Sequence, residues 1–339
     1  DMTVTYFTIP NDDYAGLVRQ VEVQNISDRD LDIEILDGMP ELLPYGVENA
    51  AYKSVGNLLK SWMEVYNIEN SIPYYRVRAS TADHAQVDRV TKGHFYLSFS
   101  DQGTLLTPIV DANLIFGYNT SLREPENFMR EGVKEILERE QITANKVPCA
   151  FSGMAQKLAR GESMYIYTIV GHATSVEFIN EKAERIANPC YISTKRKEMQ
   201  SLVEGLTDDI HTSTSSEVFD AYARQCYLDN LLRGGYPLIL DNGKEGFVYH
   251  VYSRKHGDLE RDYNFFVTAP EYYSQGNGNF RDVNQNRRND VFFHPKAGIF
   301  NIKTFMNLIQ LDGYNPLSVE GCTFEILDEK KEEAHAILD

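Results

Sequence analysis

MYIYTIV, Met164 to Val170, is apolar on both of the faces that an extended chain presents. Successive strand residues point to opposite sides, so such a run must be covered above and below, as in a strand inside stacked sheets. Working outward, the preceding segments also read largely as β. LVRQVEVQNIS (Leu17 to Ser27) is followed by LDIEIL (Leu31 to Leu36), with Ser27 to Asp30 as a turn between them. In LDIEIL, Leu31, Ile33 and Ile35 share one face and Asp32 and Glu34 the other. FYLSF (Phe95 to Phe99) alternates again before a turn at Ser100 to Gly103. Two helices interrupt this half. One is expected over Val47 to Tyr66, with Val55, Leu58, Leu59, Trp62 and Tyr66 at helical spacing, the other over Pro125 to Leu137.

After Val170 the pattern becomes helical. Thr174 and Glu177 form a capping-box signature, and Val176, Ile179, Ala183 and Ile186 make one stripe. Pro189 breaks the pattern, and a second helix follows near Thr194 to Leu206. Ser213 to Ser216 opens a third, carrying Val218, Phe219, Tyr222, Cys226 and Leu231 at helical intervals and closing at Gly234-Gly235. Ile299 to Leu311 is the last clear helix, and DEKKEEAHAILD at the end reads as a solvated, frayed one. A β-rich block followed by helices joined by long loops is not alternating βαβ.

The chain has 339 residues and 42 % hydrophobic residues, enough for two or three domains with a sizeable core. Its net charge of −17 disfavours nucleic acid and anionic membrane surfaces as partners. No transmembrane run or signal peptide is visible. Asp1 enters directly into a strand-like run, so the N-terminus reads as processed or cut from a longer chain. Cys149, Cys190, Cys226 and Cys322 suit neither a zinc site nor a disulfide framework, which favours reduced thiols and a cytoplasmic setting. The 21 tyrosines serve core packing and sugar recognition equally well, because each joins a ring face to a polar tip.

YYSQGNGNFRDVNQNRRND, Tyr272 to Asp290, concentrates glycines, amides and charges. Asp282, Asn284 and Asn286 begin like an EF-hand loop, but Arg287 replaces the turning glycine and Phe293 the bidentate glutamate. Gly276-x-Gly278-x-x-Arg281 lacks the third glycine of a dinucleotide loop. Ser274 and His294 are a nucleophile and a base by residue type only. A sugar site fits better. Arg281 can donate a fork of hydrogen bonds while Asp282 accepts, glycines admit backbone to close range, and Tyr272, Tyr273 and Phe280 offer ring faces. The alternative is an Arg-Asp-rich loop that knits helices together through ion pairs.

Three segments in order resemble the inverting glycoside phosphorylases, the family of cellobiose, chitobiose and beta-1,2-oligoglucan phosphorylases. VPCAFSGMAQKLARGESMYIYTIVGHA (Val147 to Ala173) is similar to the last strands of that family's N-terminal sandwich. KRKEM and FDAYARQCYLDNLLRGGYP resemble its linker helices and first barrel helix. YYSQGNGNFRDVNQNRRND resembles its donor-sugar signature, with Phe280, Arg281, Asp282 and Gln285 on matching positions and Asn286 in place of its second acid. EVQNISDRDLDIEIL is similar, less specifically, to other sandwich strands. The Asn286 departure and the long SRKHGDLERDYNFF loop (Ser253 to Phe266) point away from cellobiose phosphorylase, towards the beta-1,2-oligoglucan branch.

The resemblance implies an antiparallel, supersandwich-like β-sandwich over 1–172, a helical linker over 173–212 and the beginning of an (α/α)6 barrel over 213–339. It implies a donor site built from Tyr273, Phe280, Arg281, Asp282, Gln285 and Asn286. It implies no catalytic residue in this chain, since the family's general acid and phosphate pocket lie further downstream; Asp258, Asp262 and Asp290 are expected to be solvated loop carboxylates. The implied reaction is phosphorolysis of a β-linked gluco-oligosaccharide, with inorganic phosphate as co-substrate and neither a metal nor another cofactor. The expected partners are the β-glucan and phosphate, with a homodimer also in view. An inverting hydrolase on the same scaffold and a sandwich that only binds carbohydrate are the alternatives.

Overall fold

The computed structural model describes residues 1–80, 85, 89–241, 243, 246–255, 266–268, 272–276 and 278–338. The chain divides into two compact units, Asp1–Leu202 and Val203–Asp339. In the first, the strands are β1 (Met2–Thr8), β2 (Ala15–Gln24), β3 (Leu31–Met39), β4 (Met63–Tyr66), β5 (Tyr74–Val77), β6 (Gly93–Ser100), β7 (Pro108–Ile109), β8 (Ala150–Leu158) and β9 (Ser163–Ala173). Its helices are α1 (Asn49–Leu59), α2 (Ala112–Phe116), α3 (Glu126–Leu137), α4 (Val176–Ile186) and α5 (Pro189–Thr207), the last running into the second unit.

The strands form two antiparallel sheets, one of six strands in the order β1-β2-β9-β6-β5-β4 and one of three in the order β3-β8-β7. Pleat alternation explains how they are covered. Phe95, Leu97 and Phe99 of β6 pack with Val18 and Ile169 against Ile179 and Ile186 of α4 and Ile192 of α5. The intervening Tyr96 faces the other way and joins Tyr75 and Val65 in a cluster with Ala150 of β8 and Met39 of β3. Both sheets therefore contribute to one core. The far side of the three-stranded sheet is covered in turn, because Phe151 packs with Ile115 and Phe116 of α2 and Ile136 of α3. FYLSF thus reads as alternating polarity but is buried throughout.

Two tyrosines of this core have their hydroxyls paired, as a low-dielectric interior favours. Tyr75 donates its hydroxyl to the Cys149 carbonyl at 3.0 Å and Tyr96 donates to the Asp37 carbonyl at 3.2 Å, each joining one sheet to the other. Burial raises both phenols, Tyr96 to about 12. Asp37 is held in turn by Arg19 at 2.8 Å. A second buried group ties the β1–β2 turn to the helices. Lys195 donates to the carbonyls of Pro10 and Asn11 and to Glu198, while Tyr191 and Arg185 both reach Asp12.

The helical periodicity locates α3, α4, α5 and, in the second unit, α6 (Glu217–Gly234), but misplaces several boundaries. The helix expected over Val47 to Tyr66 stops at Leu59, and Met63–Tyr66 is strand β4. Met63 and Val65 are buried there, whereas Val55 and Leu58 are exposed, so alternation won over the helical spacing. Ser175, not Thr174, caps α4, its hydroxyl accepting from the Phe178 amide at 3.2 Å. Helix α5 starts at Pro189, where the missing N–H costs nothing.

The second unit contains α6 (Glu217–Gly234), a hairpin of β10 (Tyr236–Asp241) and β11 (Gly246–Val251), β12 (Gly278–Asn279), α7 (Phe280–Arg287), α8 (Asp290–Phe293), α9 (Phe300–Asn307), β13 (Ser318–Val319) and α10 (Lys331–Leu338). Ser216 caps α6 and Gly235, at φ 93°, closes it. Val218, Phe219 and Tyr222, expected on one packing stripe, are exposed, while Tyr227 and Leu231 are buried. The hairpin occupies part of what the periodicity left as loop, and no ring of paired helices appears among the described residues. No described helix is long and apolar enough to cross a membrane. All four cysteines are free.

His94 of β6 and His172 of β9 are both withdrawn from water. Burial, and then His172, lowers the His94 pKa from 6.5 to about 4; burial, and then Lys92, lowers that of His172. A histidine depressed on folding stabilises the native state above its unfolded pKa and withdraws that contribution as pH falls towards the folded one. Stability should therefore drop between about pH 6.5 and 4, by roughly 3 kcal/mol from His94. Urea unfolding with a chelator present, across that range, should show a shallower loss for His94→Gln than for the parent chain. Parallel curves would assign the acid sensitivity to other groups.

Candidate functional site

The stretch 272–290 folds as an irregular lead-in followed by helix α7. Gly278 and Asn279 pair with Val319 and Ser318, and the Asn279 side chain caps α7 by accepting from the Arg281 amide at 2.9 Å. This cap fixes which residues of the signature face out. Arg281 is 74 % exposed, and its Nε and one terminal nitrogen both lie 3.0 Å from one oxygen of Asp282, whose side chain is only 12 % exposed. The pair is thus preformed on the first turn, with the guanidinium outward. Gln285 is exposed one turn on, and its carbonyl accepts from Arg288.

The other expected site residues are placed differently. Phe280 does not present its ring, because it is buried against Val283 and edge-on to Phe305 at 5.3 Å. Tyr273 is exposed, with a left-handed backbone at φ 53°, and its carbonyl accepts from Tyr249. Asn286 turns away from Arg281 and lies beside Gly234, lining a cavity of about 320 Å³ with Tyr227, Asn230, Arg287, Asp290 and His294. Arg281, Asp282 and Gln285 therefore share the outer side of α7, while Phe280 and Asn286 belong to its inner sides. Ser274 donates to the Tyr252 carbonyl at 2.5 Å, and the His294 ring packs on Tyr236; no contact joins Ser274 to His294 among the described residues. Asp258, Asp262 and most of the 253–266 loop lie outside the described residues.

The expectation for Asp290 needs correction. It is buried, not solvated, and sits in a polar cluster that the composition of the loop did not reveal. One Asp290 oxygen is 2.9 Å from Nε2 of His250 and accepts from Asn301 at 2.8 Å; the other is 3.6 Å from Arg287. Arg287, 3 % exposed, also donates to the Gly235 carbonyl at 3.0 Å and to the Tyr252 hydroxyl at 2.7 Å. A Cβ on Gly235 would stand 2.7 Å from that guanidinium, and its positive φ already demands glycine. Burial lowers the His250 pKa, with the Arg287 charge acting in the same direction and Asp290 opposing it. Burial thus favours the neutral imidazole, whose Nε2 faces the carboxylate. His250, Tyr252 and Asn301 were not anticipated, yet Phe280, Val283, Arg287 and Asp290 recur at helical spacing and mark an inward stripe. Among the described residues no group of three or more His, Cys, Asp and Glu side chains could hold a metal.

No family model matches the sequence, and no curated protein matches it. Among solved structures, the chain is similar to one named as a kojibiose phosphorylase from human microbiome, at 8 % identity and a TM-score of 0.19. The match covers 70 % of this chain and 24 % of that one, so the chain spans about a quarter of its length.

The two aspartate–arginine pairs of this region should respond in opposite ways to truncation. Asp290→Ala leaves Arg287 buried without its counter-charge and should cost about 3 kcal/mol or more. Arg281→Ala removes an exposed partner and should change stability by no more than about 0.5 kcal/mol. Urea denaturation of the two variants checks this. Equal losses would mean that the Arg281–Asp282 pair is itself a structural clamp.

Proposed function

We propose that this chain is part of an inverting glycoside phosphorylase acting on β-linked gluco-oligosaccharides, within the beta-1,2-oligoglucan branch. The observation that carries the reading is the Phe280-Arg281-Asp282 signature, whose arginine stands outward on a capped helix turn against its own carboxylate. A fixed donor fork beside an acceptor suits the vicinal hydroxyls of a pyranose. The fold that accompanies this function is a β-sandwich, carried by the two antiparallel sheets that share a core, leading through linker helices into an (α/α)6 barrel. The proposed setting is cytoplasmic.

In this reading a carboxylic acid protonates the leaving glycosidic oxygen and phosphate attacks the anomeric carbon from the opposite face. The glycosidic C–O bond breaks as the C–O bond to phosphate forms, giving α-glucose 1-phosphate and a shortened glucan. Phosphate takes the place of the water of an inverting hydrolase, so no general base is required. Arg281, Asp282 and Gln285 hold the donor sugar as it flattens towards an oxocarbenium ion. None of the residues assigned here is the general acid, and the activity is that of the complete protein.

Arg281→Ala in the complete protein should reduce phosphate-dependent release of glucose 1-phosphate from sophoro-oligosaccharides by about a hundredfold, the rate equivalent of about 3 kcal/mol of lost transition-state contact. Unchanged turnover in a folded variant would remove the donor-site assignment. Release of free glucose whether or not phosphate is present would replace the phosphorylase by an inverting hydrolase. Retention of sugar without turnover would leave a carbohydrate-binding protein.

A further inference from the structure

His94 and His172 stand directly opposite each other on β6 and β9, the two central strands of the six-stranded sheet. Their ring centres are 5.5 Å apart, with the planes at 63°. Two imidazoles bound to one tetrahedral ion at about 2.0–2.1 Å would place their ring centres about 5.2 Å apart, so the observed spacing is already close to that of a chelating pair. Nδ1 of His172 is buried and has no hydrogen-bond partner among the described residues. A buried polar atom left in this way is an uncommon feature that a ligand explains.

The surroundings hold the rings in place. The Tyr45 ring lies 5.7 Å from that of His94 and 4.9 Å from that of His172, and Tyr45 is bridged by its backbone to Arg76. Each histidine follows a glycine that close packing requires. A Cβ on Gly93 would meet the Tyr74 ring at 2.3 Å, and one on Gly171 the Ala15 carbonyl at 2.4 Å and the Phe95 ring at 2.6 Å. The pair is therefore set by sheet register and rigid neighbours rather than by a mobile loop. Neutral imidazole is the form that binds metal, and burial disfavours the charged form of both rings. Lys92 is the charged neighbour that opposes a cation here.

We propose that His94 and His172 form a binding site for a divalent late first-row transition metal ion, of which Zn²⁺ is the probe of choice. Imidazole suits zinc, nickel and copper, whereas magnesium and calcium prefer oxygen donors. Two protein ligands leave further positions for water or another donor. The site lies within unit 1 and does not depend on the sugar-site reading.

The full chain, freed of metal, is titrated with Zn²⁺ by calorimetry, and its melting is followed with Zn²⁺ and with Mg²⁺. One Zn²⁺ should bind per chain, and a hundredfold excess over Kd should raise Tm by about 5 °C, with no effect of Mg²⁺. Binding should weaken at least tenfold in both His94→Gln and His172→Gln and persist in His211→Gln, an exposed histidine used as control. Should His172→Gln not fold, His94→Gln and the shifts of the two imidazole resonances in the parent chain on adding one equivalent of Zn²⁺ decide. No Zn²⁺ binding, or binding that survives loss of His94, overturns the proposal.

Discussion

Unit 1 is organised by the requirement that β9 be satisfied along both edges and covered on both faces. Its edges are hydrogen-bonded to β2 and β6 over most of its length. Ile169 faces the helices α4 and α5, and Val170 faces the core shared with the three-stranded sheet. A one-residue slip would exchange these faces, sending apolar side chains to the wrong neighbours along the whole strand. The same register aligns Thr168 with Ser98, whose hydroxyls lie 3.1 Å apart in the core, and sets His172 against His94. Packing and the histidine pair are thus consequences of one constraint.

The second unit depends on a different one. Arg287 is buried, and a buried guanidinium must find acceptors for its donors and a counter-charge. Gly235 at the end of α6, Tyr252 after β11 and Asp290 at the start of α8 provide them. This gathers elements far apart in the chain around α7. The inner side of α7 serves folding in consequence, and its outer side is the one the proposed function uses. Arg281 and Asp282 occupy that outer side because the Asn279 cap sets the phase of the helix.

The contrast between the two arginine–aspartate pairs carries the functional reading. Arg287 and Asp290 are enclosed and have their partners within the fold, so they act as a clamp. Arg281 is largely solvent-facing and rests on a carboxylate that is itself mostly covered. Exposed ion pairs contribute little to stability, and it is this exposed pair that the proposed function assigns to the sugar. In the 272–290 stretch the ion-pair reading describes Arg287 and Asp290, which join α7 to α8, and the proposed sugar contact concerns Arg281 and Asp282 on the other side of α7.

Alternation and helical spacing were sufficient to identify the principal strands, the helices α3 to α6 and the β-rich block followed by helices, because these patterns record which face of an element is buried. They assigned 63–66 to a helix where the chain forms strand β4, since a buried alternating run and a helical stripe share residues over so short a span. They also left out the hairpin of β10 and β11. For the candidate site, residue type marked Arg281 and Asp282, the family resemblance added Gln285, and helical spacing held the hint that Phe280 and Asp290 point inward. That Asp290 would meet His250 and Asn301, or that His94 would meet His172, was beyond local reading. Such pairs form between segments far apart in sequence, and only the register of the sheet and the packing around one buried charge bring them together.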